Sequence, residues 1–161
     1  MGLFKRNKNE NSKPAEKKAS KVKLRPFEYH PKIILAWAKG IEGHSKLLDY
    51  LHEQGFNELV MATHAIRLKD EAREWLMQNG YPHVMAMINA AEGNAQAKKW
   101  LMQNNFLLFY NMAIAIDGDP DGFKWINKNS SQEYFLLTKV IKDVKDEIEE
   151  GHNDIHKRGT D

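Results

Sequence analysis

Apolar and polar positions along this chain repeat at a fixed spacing. Ala72-Arg73-Glu74-Trp75-Leu76-Met77-Gln78-Asn79-Gly80-Tyr81 is followed by Ala97-Lys98-Lys99-Trp100-Leu101-Met102-Gln103-Asn104-Asn105-Phe106, and then by Gly122-Phe123-Lys124-Trp125-Ile126. The tryptophans at 75, 100 and 125 stand 25 residues apart, and one more step back lands on Tyr50-Leu51. Whole columns keep this register. Leu47, Ala72, Ala97 and Gly122 are mostly small; Gly55, Gly80, Asn105 and Ser130 form a turn column; Phe56, Tyr81 and Phe106 follow it, with Ser131 breaking the rule. Leu59, Val84, Phe109 and Tyr134 continue the pattern, as do Ala62, Met87, Met112 and Leu137.

A period in this range marks stacked helical hairpins, each burying its apolar face against its neighbours. The expected fold is all-α: a short α-solenoid of about four 25-residue hairpin repeats with capping helices. The hairpins are read at 44–54 with 57–68, at 70–79 with 82–92, at 94–104 with 107–116, and from Asp119-Pro120 into a long last helix over 131–150. Gly80 suits a left-handed C-terminal cap, Pro82 a helix start, and Ser130 with Glu133 a capping box. Lys69-Asp70 lacks the glycine found at this point in other repeats, so 57–79 reads either as one helix or as two; the flanking columns keep register and favour a break. Before the first hairpin, Ile33, Ile34, Trp37, Ala38 and Ile41 give one apolar helix face after Pro31. That helix is expected to cap one end of the stack, and the last helix, with its charged outer face, the other. The rings of Tyr50, Trp75, Trp100 and Trp125 are expected to fill the repeat core beside Leu51, Leu76, Leu101 and Ile126, because large aromatics dominate buried area. An exposed member of that column would instead be a binding hot spot.

The run Ala90-Ala91-Glu92-Gly93-Asn94-Ala95-Gln96-Ala97-Lys98-Lys99-Trp100-Leu101-Met102-Gln103-Asn104-Asn105-Phe106 resembles the helix–turn–helix part of an ankyrin repeat. The likeness is one of architecture. The unit here is 25 residues where an ankyrin repeat has about 33, the Thr-Pro-Leu-His signature is missing, and no room is left for a β-hairpin. The resemblance implies stacked hairpins and carries no site residue.

Charge divides the chain. Residues 1–26 hold nine Lys/Arg against Glu10 and Glu16, whereas the whole 161-residue chain nets only +2. With few apolar side chains, this arm is expected to be disordered. Three parts follow: a basic arm 1–26, a helical-repeat domain 27–150, and a flexible tail 151–161. Leu3, Phe4, Lys5, Arg6, Lys8, Lys17, Lys18, Lys21 and Lys23 are the candidate contacts to an anionic surface. The apolar tip of Leu3 and Phe4 favours lipid over nucleic acid. Cysteine is absent, which excludes disulfides and thiolate chemistry. No apolar run is long enough to span a membrane and the start lacks a signal-peptide pattern, so a cytoplasmic location is expected, peripheral at the membrane if the arm holds lipid.

Candidate chemistry is sparse. Met77 and Met102 share a column one residue past the leucine, and methionine at such an edge suits adaptable binding, but core filling is the expected role. His152 and His156 have metal-ligand spacing but no third ligand fixed nearby. Asp117-Gly118-Asp119-Pro120-Asp121-Gly122 starts like a calcium loop, yet the twelfth position is Lys128 where a glutamate is needed. No nucleophile elbow or phosphate-binding glycine loop is present. The expectation is a non-catalytic scaffold or adaptor for a protein partner, without cofactor, metal or small-molecule substrate. The alternative is a nucleic-acid- or ribosome-associated protein that uses the basic arm.

Overall fold

The computed structural model describes residues 23–157. Among them the chain is all-α, with nine helices and no strand: α1 Pro31–Glu42, α2 Ser45–Glu53, α3 Asn57–Ile66, α4 Asp70–Gln78, α5 Pro82–Ala91, α6 Ala95–Gln103, α7 Leu107–Ile116, α8 Pro120–Asn129 and α9 Gln132–Lys157.

Local chemistry sets these boundaries. Proline opens α1, α5 and α8, where its missing N–H is no loss. The Asn94 and Asp119 side chains accept from the first-turn amides of α6 and α8. Gly80 turns the chain at φ 91°, and Asn105 does the same work at φ 61°. The break between α3 and α4 is real, so 57–79 forms two helices. It rests on Leu68, which holds φ 69° without glycine's freedom while its N–H donates to the Ala65 carbonyl. At the fourth turn Ser130 is extended, at φ −134°, so the left-handed column ends there.

The first helices of the hairpins, α2, α4, α6 and α8, lie outside. The second helices, α3, α5, α7 and α9, follow α1 in an inner row in which each touches the next. The row closes, because α1 packs along α9. Two caps at opposite ends were expected; the two terminal helices instead cover each other. Leu51, Leu76, Leu101 and Ile126 point inward from the outer helices and are fully buried. They meet an inner layer that includes Ile34, Leu59, Ile88, Met112 and Ile141. Trp37 is also fully buried, and its indole N–H donates to the Thr63 hydroxyl at 3.0 Å.

Polar ties show that α1, α3 and α5 run the same way. At their C-terminal ends the Arg67 guanidinium donates to the Ile41 carbonyl at 2.6 Å, and Arg73 of α4 joins the ends of α3 and α5 by donating to the Ala65 carbonyl at 3.0 Å and to Glu92 at 3.1 Å. At their N-terminal ends residues 23–30 form a non-helical strap. The Arg25 N–H donates to the Gly80 carbonyl at 2.8 Å. Phe27 sets its edge against Trp37 and Phe109, with ring centroids 5.6 and 5.4 Å away. The Tyr29 hydroxyl donates to Glu58 at 2.7 Å. The expected boundary at 26/27 therefore moves, since residues 23–26 already lie on the body. The far boundary moves too: α9 continues through Gly151 to Lys157 instead of stopping near Glu150. A helix already nucleated gains one hydrogen bond per added residue, and a lone glycine weakens it without ending it.

Candidate interaction surface

The aromatic column borders the core without entering its centre. Tyr50 is 43% exposed, whereas Trp75, Trp100 and Trp125 are mostly buried and pack against the core from its flank. Adjacent residues on a helix point about 100° apart, so the aliphatic residue at 51, 76, 101 or 126 takes the inward direction and the ring before it is left on the flank.

On that flank the rings form a ladder. Trp75 stacks on Tyr81 with planes 10° apart, and Trp100 stacks on Phe106 at 12°, the same contact one repeat later. His83 joins the two, stacked on Tyr81 at 6.1 Å and on Phe106 at 5.4 Å. The strap covers the middle of this ladder, with Phe27 edge-on to His83. The indoles of Trp75 and Trp100, partly exposed, remain at its two ends. In the fourth repeat Ser131 stands where Tyr81 and Phe106 stand in theirs, so Trp125 lacks the equivalent ring. Met77 and Met102, expected to fill the core, are instead exposed on the same outer helices, since the residue after the inward leucine is turned about 100° away from it. Such a surface offers apolar area with polarisable edges, suited to another protein's side chains.

His83 is buried, and its Nδ1 has no hydrogen-bond partner among the described residues. Burial pushes its pKa below the ordinary histidine range, with the Arg25 backbone pulling the other way. Tyr29 is pushed far up by burial and by its bond to Glu58.

Two polar columns run beside the apolar ones, and reading single columns misses them. Arg73 pairs with Glu92, and Lys98 with Asp117 at 2.6 Å; both pairs span 19 residues. Each joins the start of a first helix to the end of the next. The Asn79, Asn104 and Asn129 amides donate to the carbonyls of Trp75, Trp100 and Trp125 at 2.8, 2.8 and 3.0 Å, closing the outer helices. Lys145 of α9 also donates to Glu92 and is buried. Burial alone would raise the Glu92 pKa, but the Arg73 and Lys145 bonds outweigh it and hold the carboxyl below the ordinary range.

Among the described residues no three His, Asp or Glu side chains gather as a metal set, and no helix is long and apolar enough to cross a membrane. Lys23 is exposed at the start of the strap. Leu3, Phe4, Lys5, Arg6, Lys8, Lys17, Lys18 and Lys21 lie outside the described residues. Comparison with protein-family models, with curated proteins and with solved structures found no match.

Proposed function

We propose that this protein is a non-catalytic interaction scaffold. In this reading its 25-residue hairpins form a short solenoid whose ends close on each other, and a protein partner binds across the outer flank. The observation that carries the reading is the pair of partly exposed indoles, Trp75 and Trp100, at equivalent places in successive repeats. Tryptophan side chains held rigid by stacking, with one edge in water, are the residue type most enriched where binding energy concentrates. The basic residues of 1–22 then attach the scaffold to an anionic surface, with Leu3 and Phe4 turning the preference toward lipid.

Capture from the source cell tests the reading. The double substitution Trp75→Ser and Trp100→Ser leaves the inward Leu76 and Leu101 in place and should keep the helical circular dichroism. It should lose the partner that the unchanged chain retains. Equal capture by both, with the variant folded, would overturn the reading. Vesicle flotation tests the arm separately: Leu3→Ser with Phe4→Ser should weaken binding to anionic vesicles and leave nucleic-acid binding unchanged.

A further inference from the structure

The outer helices occupy equivalent seats, each between two inner helices. α2 sits between α1 and α3, α4 between α3 and α5, α6 between α5 and α7, and α8 between α7 and α9. Because α9 packs on α1, the ring has a fifth such position, and no described helix lies over it.

The repeat register identifies what is uncovered there. Position 136 belongs to the column of Met61, Ala86 and Asn111. Asn111 is only 7% exposed, since α8 lies so close that a Cβ on Gly122 would stand 2.3 Å from the Asn111 carbonyl. Leu136 has no outer helix after it and is 42% exposed. Position 35 belongs to the column of Val60, Met85 and Tyr110; Met85 is 3% exposed and Leu35 38%. Leu35 and Leu136 line one hollow of about 550 Å³, together with Phe135, Ser130, Ser131 and the first residues of α9, Gln132 and Glu133.

Charge identifies the same position independently. In the filled seats of α4 and α6 the residue after the small one is a cation, Arg73 or Lys98. It reaches the acid that ends the following inner helix, Glu92 or Asp117. The matching acid at the end of α1 is Glu42. Its register partner is Lys23, but the chain there is not helical, carries Pro26, and is tied to Gly80. The segment that would supply a first helix for α1 is thus the strap. Glu42 makes do with Lys39 of its own helix at 3.0 Å, a pair open to solvent.

We propose that the seat between α9 and α1 docks an amphipathic helix of a partner protein, one carrying the pattern small–cation–any–aromatic–aliphatic. The small residue lets the partner backbone approach α9 over Leu136, as Gly122 approaches Asn111. The aliphatic residue four positions on enters the hollow beside Leu35. The cation takes Glu42 from Lys39. This deepens the scaffold reading and rests on it, naming a place and a partner chemistry distinct from the tryptophan flank.

The probe is a synthetic peptide of residues 94–105, which carries Ala97-Lys98-Lys99-Trp100-Leu101, labelled and titrated with the full chain while anisotropy is followed. Saturable binding is expected. Leu136→Asp should weaken it by about tenfold or more, and Glu42→Lys by several-fold. A peptide with Lys98→Glu should bind the Glu42→Lys protein better than the unchanged peptide does. Both protein substitutions are at solvent-facing positions, and unchanged melting confirms the fold. No saturable binding, or binding indifferent to both substitutions, overturns the proposal. So does a Leu136-dependent dimer at the same concentrations, which would make the seat a contact between copies. If the peptide fails while Trp75 and Trp100 still govern partner capture, the seat alone is wrong. If the peptide binds and capture ignores both tryptophans, the flank is wrong.

Discussion

Trp100 and Leu101 adjoin in sequence and differ in what each holds together. Leu101 is fully buried between outer and inner layers, so truncating it leaves a cavity that neighbouring backbone cannot close. Leu101→Ala should cost about 2–5 kcal/mol. Trp100 keeps part of its ring in water, so Trp100→Ala should cost less than Leu101→Ala although it removes more atoms. Denaturant unfolding of the two variants checks the order; a larger loss at Trp100 would return that ring to the core. His83 gives the residue scale a pH signature. Its folded pKa lies below its ordinary value of 6.5, so the unfolded chain takes the proton first. The stability it contributes is therefore complete above that range and lost as pH falls through it. Melting temperature should drop on acidification from about pH 7.5 to about pH 5, and His83→Phe should flatten part of the drop. His64 is lowered in the same direction, by burial and by Lys69, so part of the slope should survive. An unchanged slope in the variant would mean the ring meets water more than its burial implies.

At the scale of elements, α8 shows why one column of the repeat is small. A Cβ on Gly122 would lie 2.7 Å from the Ala115 nitrogen as well as against the Asn111 carbonyl, both in α7. Ala72 and Ala97 hold the same register and accommodate a methyl group, so α8 sits nearer its neighbour than α4 and α6 do to theirs. Gly122→Ala should therefore destabilise by roughly 1–3 kcal/mol even though alanine is the better helix former. Thermal melts of Gly122→Ala decide this, since a stabilised variant would mean α8 is free to shift outward. Much of this layer was legible in the sequence. The period placed the helices, the turns and the inward aliphatic column, because those depend on neighbours within a repeat. Ring size alone places the aromatic column in the centre of the core, but the one-residue offset from Leu76 and Leu101 turns it to the core's flank. The Arg73–Glu92 and Lys98–Asp117 pairs were readable only by matching two columns 19 residues apart. The strap was not legible: Phe27 and Tyr29 sit in a non-helical stretch with no period, and nothing local shows that their rings reach Phe109 and Phe56.

Closure belongs to the whole molecule. A repeat of 25 residues specifies how each hairpin meets the next but not the curvature that accumulates over four of them, so the meeting of α1 with α9 follows from no single column. Its consequence is cooperative. In an open stack each unit is supported by its neighbours only, and terminal helices fray first. Here α1 and α9 support each other along their length, and α9 is further tied to the end of α5 through Lys145 and Glu92. Hydrogen exchange should therefore find the buried amides of α1 and of α9 up to about Val144 protected to nearly the same free energy as those of α5 and α7. The sharper test is a substitution in one terminal helix read out in the other. Ile34 is fully buried on α1, and Ile34→Ala should cost about 2–5 kcal/mol. In a closed ring that loss should speed exchange in α9, four hairpins away in sequence, as much as in α2, its sequence neighbour. In an open stack α2 would respond and α9 would not. Equal protection of α9 in the variant and the unchanged chain, with α2 loosened, would show that the ring opens at the α1–α9 contact without consequence for the rest.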